Sequence, residues 1–438
     1  MRINTGAFIG ALLLASTASF AMPSIQHWQT TNGVNVYFVA TKGLPILDAR
    51  VVFDAGSVRD GEKAGVAALT GALLELGAAG KSAQDIAEQL ESVGAQMDTS
   101  TSRDFTSISF RSLTDVKALE TSWGVLKQVV NEPDFPKADF KREKKRTLLA
   151  ITQREESPGI LAQLALYKEI FNGHAYGNAI RGVESTVSQL AVSDLEHFYK
   201  QYYVANNLKI VLVGGLSTAQ AKNMVEGLVG KLPLGIKAKT ITTVEAVQTG
   251  KTIHQEHPSQ QTHMLYGLPV LKHNDSDYFA LYVGNHILGG GGFSSQIVKE
   301  IREKRGLAYS AYSYFHPMVE KGPFLIGLQT RNKKVEEAAA TVKQMLKSFI
   351  EHGPTTDELI AAKKNIIGGF ALKLDSNKKL LGHVASIAAS NAPLDYLNTY
   401  MAKVKAVTRE QIADAFQRRI KIDSMVMVTV GQTVRSKK

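Results

Sequence analysis

The stretch Leu288-Gly-Gly-Gly-Gly-Phe293-Ser-Ser-Gln-Ile-Val-Lys-Glu-Ile-Arg-Glu-Lys-Arg305-Gly-Leu-Ala-Tyr309-Ser310 joins a glycine run to a short amphipathic segment and an alternating one. A run of four glycines has no side chain to shield its backbone, so it predicts an open loop. From Leu307 to Tyr314 small and aromatic residues alternate, which predicts a strand. The exposed backbone is predicted at Gly289, Gly290, Gly291 and Gly292, followed by Phe293.

The middle of this stretch predicts a short helix. Either Ser294 or Ser295 is a suitable N-cap for it. One face of the predicted helix is apolar, with Ile297, Val298 and Ile301. Gly306 follows two cations and is typical of a helix C-terminus. Arg305 and Tyr309 are therefore expected on either side of a tight stop between helix and strand.

The rest of the chain alternates predicted strands with runs of helix. Strands are predicted at 34–39 and 46–53, ahead of a nearly wholly apolar helix at 64–76 that should be buried. Ser82 is predicted to cap the next helix, with Asp85 at the third helical position. Hairpin-like strands mixed with groups of helices indicate an α+β fold.

Landmarks that recur at nearly one offset indicate an internal duplication. A helix and a strand ending in glycine, from Val192 to Gly214, reappear from Val407 to Gly431. Phe135-Pro136 before a basic helix is echoed by Gly353-Pro354 before another, and the offsets all lie between 215 and 219 residues. The pattern predicts two halves of about 210 residues, each an antiparallel sheet covered by helices, which is far longer than a solenoid repeat.

The N-terminus predicts export. A charged Arg2, an apolar run at 7–15 and the small-x-small triplet ending at Ala21 follow the order of a secretory signal peptide. The predicted organisation is a signal peptide at 1–21, an N-terminal half at 22–240 and a C-terminal half at 250–438. No later stretch reaches the ~18 uninterrupted apolar residues of a membrane span. We expect a periplasmic protein, with secretion as the alternative.

Composition excludes some chemistry. The 438 residues include no cysteine, so disulfides and thiolate catalysis are ruled out. The formal net charge is +11, which could favour nucleic acid, anionic membranes or acidic partners. The densest basic run, 141–146, has helical spacing and is interrupted by Glu143, which is typical of a solvated helix face. Export argues against nucleic acid as a partner.

Common catalytic motifs are incomplete in this chain. The glycine run is followed by Phe293-Ser-Ser rather than the Gly-Lys-Ser/Thr of a phosphate loop. His254, His257 and His263 could bind a metal, although their spacing is not that of a helical zinc motif. No Gly-x-Ser-x-Gly element is present for a serine nucleophile.

The anchoring stretch resembles the pitrilysin/insulinase-type (inverzincin) metallopeptidases, which include the mitochondrial processing peptidase and the cytochrome bc1 core proteins. The match is carried by Leu-Gly-Gly-Gly, then Ser-Ser, then Arg302-Glu-Lys-Arg305-Gly-Leu-Ala-Tyr309-Ser. The resemblance extends from about Gly33 to Gly431 and includes the duplicated halves, so it implies a clamshell. It assigns the family's Arg/Tyr motif to Arg305 and Tyr309.

The zinc motif of active members is missing. They carry His-x-x-Glu-His on a buried helix, with a further ligand on a later helix. The resemblance aligns the two histidine ligands with Ala68 and Ala72, the general base with Gly71, and the distal ligand with Ala150. No His-x-x-Glu-His occurs anywhere in the sequence, so no metal ligand or other cofactor is predicted in this chain.

The resemblance therefore implies a non-catalytic subunit, similar to the alpha subunit of the mitochondrial processing peptidase and to bacterial heterodimeric homologues. The expected partner is a homologous subunit that carries the zinc, and the expected substrate is a peptide. Arg305 would orient the peptide and Tyr309 would stabilise the oxyanion, while the glycine loop would contact the substrate. The alternatives are a non-hydrolytic scaffold and a peptide-binding protein of the same fold.

Overall fold

The chain forms two main sheets, one in each half of the sequence. The structure is a computed structural model that describes residues 22–433. The predicted signal peptide at 1–21 lies outside the described residues. The sequence places the join between the halves at 233–252, and residues 230–251 contain no helix or strand. The proposed domain boundaries remain a prediction.

The N-terminal half contains eight strands and eight helices within the described residues. Its strands are β1 Gln26–Gln29, β2 Asn35–Ala40, β3 Ile46–Phe53, β4 Gly77–Ala78, β5 Lys81–Ser82, β6 Gln96–Thr101, β7 Thr106–Leu113 and β8 Leu208–Gly214. Its helices are α1 Val66–Leu73, α2 Ala83–Glu91, α3 Val116–Asn131, α4 Lys137–Arg154, α5 Pro158–Ile170, α6 Glu184–Val187, α7 Val192–Tyr202 and α8 Thr218–Val229.

The C-terminal half contains five strands and six α-helices, again counted over the described residues. The strands are β9 Thr252–Glu256, β10 Gln261–Leu271, β11 Ala308–Phe315, β12 Gly322–Arg331 and β13 Val426–Gly431. The helices are α9 Tyr278–Asn285, α10 Val335–His352, α11 Thr356–Gly368, α12 Asn377–Ser390, α13 Tyr396–Ala406 and α14 Arg409–Arg419. A π-helix at Val298–Lys304, here called the site helix, precedes β11.

The two sheets repeat one topology, which confirms the predicted α+β fold with two similar halves. The first sheet has the order β1-β2-β8-β3-β7-β6, and the second has the order β9-β13-β10-β12-β11 when read in the same direction. β1 is the additional strand of the first sheet. The sheets are not wholly antiparallel, because β2 pairs with β8, and β9 with β13, in parallel. Long helical connections precede β8 and β13, and such crossovers allow parallel pairing.

One helix of each half packs on the sheet of the other half. α5 contacts β10 and β13, while α12 contacts β8 and β3. Leu166 of α5 is fully buried, and its Cδ2 atom lies only 3.1 Å from where a Cβ of Gly267 would be. On the other side, the Lys209 ammonium donates to the Ala388 carbonyl and to Asn391 Oδ1, at 2.7 Å each. The halves are therefore interlocked through exchanged, equivalent helices.

Local signals near the N-terminus behave as predicted. Ser82 caps α2 and forms a capping box with Asp85, whose carboxylate accepts from the Ser82 backbone N–H at 2.8 Å. α1 is mostly buried, as its apolar sequence predicts. Among residues 22–433, no helix is both long enough and apolar enough to cross a membrane.

Candidate functional site

The glycine run is partly helical. Gly289 and Gly290 belong to a π-helical turn, His286–Gly290, that continues α9. Gly289 is buried, and a Cβ there would overlap Ser313 of β11. The prediction of four unshielded residues is therefore wrong for Gly289, because this glycine allows close packing against a strand. Gly290 and Gly292 are exposed, and Gly292 adopts φ +62° with open space around its Cα.

The turn after the glycines positions the site helix. The Ser295 hydroxyl donates to the Gly292 carbonyl at 2.7 Å, and the Ser294 hydroxyl donates to the Gly291 carbonyl at 2.9 Å. Ser295 occupies the predicted N-cap position, since its backbone is extended and its carbonyl accepts from the Lys299 backbone N–H at 3.1 Å. Among the described residues neither serine side chain accepts a capping hydrogen bond. Gly306 ends the helix as predicted, with φ +57°.

Tyr309 lies on a β-bulge at the edge of the second sheet. Ala308 pairs with Thr330 and Ala311 pairs with Leu328, so β11 has an extra residue between these positions. Tyr309 and Ser310 consequently both point to solvent, and Tyr309 is 81% exposed. The simple alternation predicted for this segment is interrupted here. Bulges commonly redirect a side chain at functional sites.

Arg302 lies against Tyr309. Its guanidinium carbon lies 4.5 Å from the centroid of the Tyr309 ring and 4.9 Å from that of Phe293, which is 69% exposed. Stacking of this kind contributes roughly 0.5–1 kcal/mol at exposed sites. Arg302 thus holds two exposed aromatic rings together in front of the bulge.

Arg305, which the sequence paired with Tyr309, has a different partner. Its Nε atom donates to Glu300 at 2.8 Å, and Lys304 forms a second ion pair with Glu300 at 3.0 Å. Hydrogen bonds from Arg305 and Lys304 lower the pKa of the Glu300 carboxyl. The chain reverses at Gly306, and the arginine that contacts the Tyr309 ring is Arg302, three residues before Arg305.

A cavity of about 440 Å³ adjoins the glycine run. Gly290 and Gly292 line it together with Tyr312 and Tyr314, whose rings stack 5.9 Å apart on β11. Its wall is therefore exposed glycine backbone on one side and aromatic side chains on the other. Such a surface can contact a peptide through main-chain groups and ring faces.

The positions aligned with the zinc ligands and the general base lie on α1 and α4. Ala72 is exposed and Ala68 is half-buried, so both lie on the accessible face of α1. Ala150 is half-buried on α4, which packs against α1. Gly71 is buried, and a Cβ there would lie 2.7 Å from Thr101 Oγ1. A larger side chain at the position of the general base does not fit this packing.

These positions do not fit a zinc ion, because alanine and glycine side chains have no donor atom. The nearby carboxylates serve the fold instead. Asp60 accepts from the backbone N–H groups of Gly65 and Ala67 at 2.8 and 2.9 Å, and burial raises its pKa to about 7. Glu75 accepts from Thr99 Oγ1 at 2.5 Å. Over residues 22–433 no three potential ligands cluster as a metal site would require.

Of the three histidines that the sequence left as a metal-binding alternative, His254 and His263 lie on different strands, and His257 lies in the loop after β9. His254 on β9 is hydrogen-bonded to Thr429 Oγ1 at 2.9 Å, and His263 on β10 is hydrogen-bonded to Gln329 at 3.2 Å. β13 lies between β9 and β10 in the sheet. This separation does not support a shared metal ion.

Comparisons with known proteins agree with this architecture. Residues 40–184 match the family described as Insulinase (Peptidase family M16), and residues 189–366 match the one described as Peptidase M16 inactive domain. A solved structure described as a peptidase M16 inactive domain from Pseudomonas fluorescens is 35% identical, with a TM-score of 0.91, and the match covers 94% of this chain and 100% of that one. The chain belongs to peptidase family M16.

Two further relatives carry different names. A "non-peptidase homolog YmxG" from Helicobacter pylori is 26% identical over 98% of this chain and 99% of its own length. An "uncharacterized zinc protease YmxG" from Bacillus subtilis is 28% identical over 69% of this chain and 73% of its own. Similar chains therefore include one named as a non-peptidase and one named as a zinc protease. The donor-free α1 of this chain agrees with the first.

Proposed function

We propose that this chain is the zinc-less subunit of an exported heterodimeric peptidase. The observation that carries the proposal is a contrast between its halves. The accessible face of α1 has only Ala68 and Ala72 where ligands would be needed, whereas the second sheet presents Tyr309 on a bulge with Arg302 stacked on it. A purely structural protein has no need for an exposed, held tyrosine. The expected partner is a homologous subunit that carries the zinc, and the expected location is the periplasm.

In this proposal the Tyr309 hydroxyl is the hydrogen-bond donor that acts on the substrate. No partner for its hydroxyl is found within the described part of the chain, so the O–H is free to donate a hydrogen bond to the oxyanion of a peptide under attack. Arg302 keeps the ring in place and adds positive charge beside it. Arg305 has a supporting role through Glu300 and can also bind a substrate carbonyl when that ion pair opens.

The bound peptide would pass over exposed backbone. Gly290 and Gly292 line the adjoining cavity and present main-chain groups without side chains in front of them. Phe293 adds an exposed ring that could contact an apolar side chain of the substrate. Such main-chain contacts give affinity with little sequence preference.

The proposal predicts that activity needs both chains. The full mature chain and a His-x-x-Glu-His homologue should co-purify and cleave a peptide that neither cleaves alone. Tyr309→Phe should lower kcat of the complex by ~100-fold with little change in KM, because one oxyanion donor is worth about 3 kcal/mol. Arg302→Ala should lower kcat less, since the tyrosine hydroxyl remains.

Two controls separate the roles. Lys304 lies on the site helix, as Arg302 does. Lys304→Ala removes only a surface ion pair, so activity should stay within about twofold. Arg305→Ala tests the motif arginine named from the sequence, and an effect larger than that of Arg302→Ala would return the main role to Arg305. Full activity of the partner alone, or of the complex with Tyr309→Phe, would refute the proposed mechanism and favour a scaffold.

A further inference from the structure

A second, larger cavity lies in the C-terminal half. It has a volume of about 890 Å³ and is enclosed by α9, α12, α13 and α14. Its aromatic wall consists of Tyr278, Phe279, Tyr282, Tyr396 and Tyr400. Cavities of this size with aromatic walls and a few polar groups are typical of small-molecule sites. It shares Tyr278, Tyr282 and Pro317 with the cavity beside the glycine run, and the proposed peptidase role gives no function to its remaining residues.

The aromatic wall offers flat faces in a fixed arrangement. The rings of Tyr278 and Tyr282 stack 5.8 Å apart and within 4° of parallel. The Tyr400 ring is held from behind by Phe370, which stacks on it at 4.4 Å. Because the rings are packed against one another, a planar ligand would meet a preformed surface and lose little entropy in ordering it.

Three carboxylates at this cavity share two guanidinium groups. Arg418 donates to Asp277 at 2.8 Å and to Asp414 at 2.7 Å, while Arg419 donates to Asp275 at 2.9 Å. Hydrogen bonds from Arg418 lower the pKa of both Asp277 and Asp414, so these carboxylates remain ionised and paired. Every carboxylate accepts from a guanidinium group, and the cluster of three acids and two arginines keeps one negative charge.

Two lysines line the same cavity without a carboxylate partner in the described structure. Lys403 Nζ lies 5.7 Å from the ring centroid of Phe279 and 5.6 Å from that of Tyr396. Lys373 Nζ lies 3.0 Å from the Tyr282 hydroxyl. The neighbouring His383 stays neutral because burial, together with Lys373, lowers its pKa. Two lysines and two arginines (+4) face three carboxylates (−3), so the net charge around the cavity is +1. The lysine charges lie beside aromatic rings.

We infer that this cavity binds a small aromatic carboxylate. The planar ring would stack on the tyrosine wall, and the carboxylate would accept hydrogen bonds from Lys373 and Lys403. Ser386 also lines the cavity and adds a hydroxyl donor on the α12 side, whereas the Ser390 hydroxyl already donates to the Ser386 carbonyl at 2.7 Å. This ligand class satisfies both the flat apolar wall and the excess of positive charge.

The test uses 2-naphthoate as the probe and the full mature chain. Isothermal titration calorimetry should show one site per chain with a dissociation constant of ~1 mM or lower, from a ligand efficiency of about 0.3 kcal/mol per heavy atom. The neutral analogue 2-naphthalenemethanol should bind about tenfold more weakly. Lys373→Gln and Lys403→Gln should each weaken naphthoate binding by ~3-fold, and the double variant by ~10-fold, as expected for exposed charges.

Two variants show whether the probe is in this cavity. Lys405→Gln removes a lysine from the same helix as Lys403 but outside the cavity, so affinity should not change. Ser386→Trp places a large ring at an exposed cavity position and should abolish binding, with circular dichroism reporting an intact fold. Absence of naphthoate binding, equal binding of the neutral alcohol, or unchanged affinity in Ser386→Trp would each overturn the inference. If the double lysine variant does not fold, the single variants and the alcohol decide the outcome.

Discussion

Gly71 determines much of what the N-terminal half can do. The space beside its Cα is filled by Thr101 and Thr106, whose hydroxyls are hydrogen-bonded to each other at 3.0 Å. The Thr106 hydroxyl also donates to the Ala55 carbonyl at 2.8 Å. A side chain at position 71 would have to separate this pair. Restoring metal ligands at Ala68 and Ala72 would therefore not restore a general base.

Replacement of Gly71 by alanine should destabilise the protein. The added methyl would lie 2.7 Å from Thr101 Oγ1, and overpacking of this kind typically costs about 1–3 kcal/mol. Urea unfolding followed by circular dichroism measures the change. Gly124→Ala on α3 is the matched control, since nothing lies within 4 Å of its Cβ and alanine favours a helix by up to ~1 kcal/mol.

The explanation can be checked with a second substitution. Thr101→Ala removes the clashing oxygen, so the double variant should be destabilised by less than the sum of the two single variants. Additive losses would show that the contact with Thr101 is not the cause.

The residues of the candidate site show what sequence can and cannot provide. The order of glycine turn, helix, stop and strand was predictable, because each step has a local signal such as Gly306. The partner of Tyr309 was not predictable. Sequence distance favours Arg305, four positions away, but helix geometry and the reversal at Gly306 bring Arg302 to the ring instead. The bulge at Tyr309 depends on pairing with β12 and has no local signal.

At the level of elements, the duplication was the most informative prediction. The recurring helix–strand landmarks correspond to α7 and β8 in one half and to α14 and β13 in the other. The exchange of α5 and α12 could not be predicted, because an amphipathic helix has the same sequence pattern whichever sheet it covers. The parallel pairs were missed for a similar reason, since pairing direction depends on the path of the connection.

Truncation of Leu166 on α5 should weaken both halves at once. This side chain is fully buried between α5 and the second sheet, so Leu166→Ala should cost ~2–5 kcal/mol. Because the helix belongs to the first half in sequence, we expect one cooperative transition in which both sheets unfold together. Leu149→Ala on α4 is the control, since Leu149 is 57% exposed and its loss should change stability by less than about 0.5 kcal/mol. Two separate transitions would argue against interlocked halves.

For the whole molecule, polar contacts between the halves add to the helix exchange. The buried Tyr176 hydroxyl is hydrogen-bonded to Asp104 and accepts from the Glu320 backbone N–H at 3.2 Å. The other Asp104 oxygen accepts from the Val319 backbone N–H at 3.1 Å. Two side chains of the first half, Tyr176 and Asp104, thus fix it to a loop of the second half.

His273, close to Lys209 and His316 at this junction, should make the protein sensitive to acid. Burial and these neighbours lower the pKa of His273 from 6.5 to about 4. The unfolded chain therefore binds a proton below pH 6.5 that the folded chain does not, and stability should fall between pH 6.5 and 4 by at most ~3 kcal/mol. His273→Gln should flatten this part of the stability profile, whereas His352→Gln, at an exposed helix end, should not. An unchanged slope in His273→Gln would contradict the assignment.

The exchange of α5 and α12 also has a consequence for the history of the chain. A single half, encoded alone, would leave the sheet face under its neighbour's helix open to water. Two identical copies could have covered both faces only by trading that helix, as in a domain-swapped homodimer. A duplication that joined two such copies end to end would keep this exchange within one chain.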